Sequence, residues 1–131
     1  MYIFFNNNPK GLKIGDCVVR AISTAMNQTW ERTYIDLCIE GFTFRDMPNA
    51  NAVWDSYLKS KGFKRYVIPN TCPDCYTIEN VAEDHPHGTY IVATGSHVVC
   101  IKDGGQILDN WDSSQEVPTY YYTKELDYGE L

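Results

Sequence analysis

Apolar residues recur at helical spacing in the first half of the chain and in short runs in the second. Val18, Ala21, Ile22, Ala25 and Met26 fall at i, i+3, i+4, i+7 and i+8, which predicts a helix from Cys17 to about Met26 with Asp16 as its N-cap. Trp30, Tyr34, Leu37 and Cys38 predict a second helix, capped by Thr29 and stopped at Gly41. Val53, Trp54, Tyr57 and Leu58 predict a third from about Ala50 to Lys61, ended by Gly62, and Thr77 caps a short fourth through Val81 to Glu83. The stretches from Asn6 to Gly15 and from Pro69 to Tyr76 are rich in Asn, Pro and Gly and read as loops.

Strands are expected at Arg65–Ile68, Thr89–Ala93, His97–Lys102 and Gln106–Asn110, with a last one at Pro118–Tyr122 and an edge strand at Met1–Phe5. Helices crowd the first half and strands the second. That segregation predicts an α+β fold, a helical N-terminal half packed on an antiparallel sheet. At 131 residues the chain suits one domain, residues 1–131, able to bury roughly two-thirds of its unfolded surface.

Composition narrows the options modestly. The 44% hydrophobic and 21% charged fractions are ordinary for a globular chain. No apolar run approaches the roughly 20 residues of a membrane span, and Met1–Phe5 is too short for a secretory signal. The expected compartment is the cytoplasm, with no membrane partner. A net charge of −6 and eleven scattered basic residues argue against a direct grip on nucleic acid. Five cysteines is an odd count, so at least one thiol is free. Ten tyrosines and three tryptophans suit either an aromatic groove for a peptide or the cover of a thin sheet.

The sharpest chemical signal is an order of residues. Cys17 opens a helix, where unpaired N–H groups and the helix dipole favour the thiolate. His97 stands just before an apolar strand, a position from which an imidazole can reach over a helix end. A nucleophilic cysteine needs such a base, and the base needs a third group to fix its tautomer. A three-residue loop at Asp103-Gly104-Gly105 pairs Lys102 with Gln106, sets His97 opposite Trp111 and brings Asp109 onto its diagonal. A two-residue loop shifts the register by one and sets Asn110 opposite His97 instead. Asp112 is a third candidate. Asp109 is the first choice, because a carboxylate best holds an imidazolium.

Asp16-Cys17, Gly95-Ser96-His97-Val98-Val99 and Asp109-Asn110-Trp111 together resemble the papain-like cysteine peptidases, most of all the small bacteriocin-processing type and its relatives in bacteria and phages. The resemblance implies a compact papain-like fold, a peptide or protein substrate, no cofactor and a triad of Cys17, His97 and Asp109. Such peptidases place a glutamine about six residues before the cysteine to donate to the oxyanion. Here Lys10-Gly11-Leu12 occupies that region, and Asn8, among Asn6, Asn7 and Asn8, is the expected substitute. The alternative function is a non-catalytic binding protein on this fold, such as a phage-encoded acidic inhibitor of a basic host protein.

Cys72-Pro73-Asp74-Cys75 has half the spacing of a zinc site, with His85 and His87 as weak further ligands. Pro86 between the histidines opposes their convergence, so no metal is expected. A loop disulfide, or two free thiols in a plain structural loop, are the other readings. Cys38 and Cys100 lie on apolar faces and read as core.

Overall fold

A computed structural model describes residues 1–124; the last seven residues of the expected domain, 125–131, lie outside the described part. Four helices and a six-stranded mixed sheet form an α+β fold. The helices are α1 (Cys17–Met26), α2 (Trp30–Phe44), α3 (Asn51–Ser60) and α4 (Ile78–Asp84). The strands are β1 (Tyr2–Phe4), β2 (Phe63–Val67), β3 (Tyr90–Ala93), β4 (Val98–Lys102), β5 (Gln106–Asp109) and β6 (Tyr120–Lys124), in the spatial order β1-β5-β4-β3-β6-β2.

Alternation along the central strands explains the layering. Ile91, Ala93, Val98 and Cys100 face one side and join Val18, Ala21, Ile22, Leu37, Trp54 and Leu58 of α1–α3 in the larger core. Val92, Val99, Ile101 and Ile107 face the other side, covered by Ile78, Val81 and Ala82 of α4. Each fully buried aliphatic side chain contributes roughly 1.5–3 kcal/mol. The strands are therefore apolar on both faces, as a sheet between two helical layers requires.

Three expectations need correcting. The sheet is not wholly antiparallel, because β1 pairs parallel with β5, Phe4 beside Asp109. Helix α2 runs past Gly41 to Phe44 and ends where Arg45 takes the left-handed conformation, φ 58°. Gly41 is there for close approach, since a Cβ on it would lie 2.7 Å from the Asp46 carbonyl oxygen. Asp16 precedes α1 but its side chain does not cap it. Thr29 does cap α2, accepting from the Arg32 N–H, and Thr77 with Asn80 forms a capping box on α4.

The tyrosines mostly cover the sheet. Tyr66 stacks on Tyr121, Tyr90 meets Tyr121 edge-on, and Trp54 packs between Tyr120 and Tyr122. Among the described residues no helix is long and apolar enough to cross a membrane.

Candidate active site

The hairpin β4–β5 takes the three-residue loop, pairing Lys102 with Gln106 and Cys100 with Leu108. Asp103, Gly104 and Gly105 all carry positive φ, which the Gly-rich sequence accommodates. Past Leu108, β5 is gripped from its other side: the Phe5 N–H donates to the Asp109 carbonyl at 2.7 Å. The register and this grip together deliver Asp109 to His97.

Asp109 Oδ2 lies 2.6 Å from His97 Nε2, a contact with both side chains buried. The carboxylate is 1% exposed and every lone-pair direction is taken. Ser113 Oγ donates to Oδ2 at 2.7 Å, while Arg20 Nη1 and the Asn110 N–H each donate to Oδ1 at 2.8 Å. With Nε2 committed, Nδ1 is the ring nitrogen left for the thiol. The Cys17 thiol interacts with the His97 ring and with the Val98 N–H. Trp111 lies against the imidazole, ring centroids 4.7 Å apart.

Electrostatics follow from these contacts. Burial alone would push the Cys17 thiol up, but the His97 hydrogen bond and charge, the Val98 N–H and the Arg20 charge bring it below its usual value. Burial alone would lower His97, yet Asp109 and Cys17 raise it to about 9. Burial opposes ionisation of Asp109 as well, and is outweighed by His97, Ser113 and Arg20, which hold its carboxyl below the usual range. The contrast is Cys100, sealed in the core, where burial pushes the thiol up to about 12.

Arg20 is the residue that sequence reasoning missed. Its guanidinium bridges Asp109 to Asp16, donating from Nε to Asp16 Oδ1 at 2.8 Å. Asp16 Oδ2 in turn accepts from Trp30 Nε1 at 3.0 Å and Asn8 Nδ2 at 3.2 Å. Asp16 is thus spent on side chains, and no side-chain acceptor takes the first-turn N–H groups beside Cys17. The available signal was the Asp16/Arg20 spacing of four at the helix start.

Several expected site residues are placed elsewhere. Asn8 is not an oxyanion donor: its amide N–H goes to Asp16 and its oxygen accepts from the Lys10 and Leu12 N–H groups. Asn6 donates to the Leu12 carbonyl and Asn7 to Ser23 Oγ, so neither substitutes for it. Asn110 and Asp112 are not partners of His97; the Asp112 carboxylate accepts from the Ser114 N–H at 3.0 Å. Cys72 and Cys75 are bonded to each other as a disulfide. His85 turns its Nδ1 to the Val81 carbonyl and packs on Tyr90 and Tyr121, while His87 follows Pro86 outward on an exposed stretch. The Cys72, Cys75, His85 and His87 set is not brought together. Cys38 is half-buried rather than core.

Two cavities flank the thiol and imidazole. One of about 350 Å³ is lined by Lys13, Ile14, Arg20, Asn110 and Trp111, with Cys17 and His97 at its wall. The other, about 170 Å³, runs between Asn49, Asn51, Trp54, Gly95 and Tyr120. A chain laid across Cys17 would occupy both. A larger hollow of about 720 Å³, near Phe5, Asn27 and Lys102, contains none of the reacting groups. Volume alone is a poor guide to the chemistry here.

No family model, curated protein or solved structure matches the chain. Function is therefore to be sought in the site itself.

Proposed function

We propose that this protein is a cysteine hydrolase of papain-like type, acting on a peptide or isopeptide bond through an acyl-enzyme on Cys17. The observation that carries this reading is the buried Asp109–His97 pair with the half-buried Cys17 thiol beside it, the imidazole raised by Asp109 and Cys17 and the thiol lowered by His97. Nucleophile, base and orienting carboxylate stand in the roles that thiol catalysis requires.

His97 takes the thiol proton, giving a thiolate–imidazolium pair. Sγ attacks the carbonyl carbon, a C–S bond forms, and the carbonyl π pair moves onto oxygen. Collapse of that oxyanion breaks the C–N bond, and the amine leaves with the proton from His97. Water then attacks the thioester while His97 accepts its proton, and rupture of the C–S bond frees the acid and regenerates Cys17. Asp109 stays ionised throughout, fixing the ring and stabilising its positive form. We take the compartment to be the cytoplasm, where Cys17, Cys38 and Cys100 stay free and the surface Cys72–Cys75 bridge is open to reduction.

Iodoacetamide labelling tests the reading. Cys17 should alkylate at pH values where an ordinary thiol of pKa about 8.5 is still protonated, and far faster than Cys38. His97→Ala should abolish that preference. Equal labelling of Cys17 and Cys38, unchanged in the variant, would instead favour a binding protein without catalysis.

A further inference from the structure

Attack on a carbonyl leaves an oxyanion that needs donors, and all three asparagines of the N-terminal loop are spent elsewhere. We propose that the Asn110 side-chain amide is the oxyanion donor of this site, paired with the N–H of Cys17. The inference rests on the hydrolase reading above and deepens it.

Three observations converge on Asn110. It is 8% exposed, yet its side chain has no hydrogen-bond partner among the described residues. A primary amide without a protein partner is free to donate to a ligand or water. Among the described residues Asn7 Oδ1 is the only sealed side-chain polar atom without a partner, so the Asn110 amide reaches open space. Asn110 lines the 350 Å³ cavity whose wall also holds Cys17 and His97.

Its position is fixed from both sides. The Asn110 N–H is pinned to Asp109 Oδ1 at 2.8 Å, and the next residue, Trp111, lies on the His97 ring. The amide therefore projects from a backbone anchored to the same carboxylate and imidazole that orient the nucleophile. This is the preorganisation an oxyanion donor needs. The rival donors in the cavity are less suited. Lys13 is an exposed ammonium on a flexible stem, the Ser96 hydroxyl and the Trp111 indole stand on exposed residues, and the Arg20 guanidinium is engaged with Asp16 and Asp109.

Two probes separate this proposal from the reading beneath it. Alkylation by iodoacetamide needs the thiolate but forms no oxyanion, whereas acetylation by p-nitrophenyl acetate passes through one. Asn110→Ala should slow Cys17 acetylation by about 10²–10³-fold, as loss of one such donor does, and leave alkylation unchanged. Lys13→Ala should change neither. Acetylation undiminished in Asn110→Ala, with alkylation intact, overturns the proposal and leaves the hydrolase reading standing. Ordinary alkylation of Cys17 in the unmodified protein removes both. If Asn110→Ala loses alkylation too, Asn110→Leu decides, because it fills similar space without adding charge and lacks the N–H. Acetylation lost with alkylation kept in that variant supports the proposal. Loss of both overturns it, since the residue then holds the His97–Asp109 pair and not the oxyanion.

Discussion

Replacing Arg20 by methionine should be the most damaging single change at the site, and its size can be worked from the contacts. The guanidinium sits between two carboxylates at 2.8 Å each, with all three side chains nearly sealed from solvent. Removing one partner of a buried ion pair typically costs about 3–5 kcal/mol, because the remaining charge is stranded. Here two charges lose their counterion, but neither is left bare. Asp16 keeps Asn8 and Trp30, and Asp109 keeps His97, Ser113 and the Asn110 N–H. The loss should therefore stay within that range of about 3–5 kcal/mol and not double. Against a typical total of about 5–15 kcal/mol, that is a large share, and the melting temperature should fall by roughly 10–20 °C. Urea unfolding followed by circular dichroism, at neutral pH and in mild acid, measures it. The Asp109 carboxyl is held below its usual range, so its contribution is present above the unfolded-state pKa and fades as pH falls through the folded value. With Arg20 gone that depression is weaker, so the gap between the two proteins should narrow in acid. A neutral-pH loss below about 1 kcal/mol, the range of an exposed pair, would refute the buried network. So would a penalty that does not shrink with acid.

The His97 ring should titrate by NMR with a midpoint near 9, and Asp109→Asn should bring it down toward the ordinary value. Because the folded value is raised, the stability it supplies is complete below pH about 6.5 and disappears as pH rises through about 9; a midpoint at or below 6.5 would sink this account. Gly41→Ala should destabilise the fold, although alanine is the better helix former by about 1 kcal/mol, because its Cβ would meet the Asp46 carbonyl at 2.7 Å. A stabilising Gly41→Ala, read by thermal unfolding, would show that this segment yields easily.

The sequence was most legible where its signals are local. Helical stripes placed α1 and α3 within a residue or so, and Asp103-Gly104-Gly105 set the hairpin register that delivers Asp109 to His97. Gly41 misled because a glycine that stops a helix and one that admits a neighbouring backbone look alike in one dimension. The parallel pairing of β1 was invisible, since a three-residue strand carries no sign of its direction. Arg20 was hidden for a related reason. Its first partner, Asp16, stands four residues away, but the second, Asp109, lies 89 residues away and is brought near only by the closed sheet. Asn8 failed as a donor because proximity in sequence to Cys17 says nothing of which acceptor claims its amide.

The distance in sequence between Cys17 and the groups that activate it has a consequence for the newborn protein. Helix α1 is synthesised long before β4 and β5, and N-terminal segments emerge first. Until the hairpin docks, Cys17 has neither His97 nor the Val98 N–H and reacts as an ordinary thiol. Non-local pairings of this kind form late, because loop closure must precede their reward. On the proposed reading, reactivity is thus switched on by completion of the fold itself, and an unfinished or unfolded chain carries Cys17 in a dormant state.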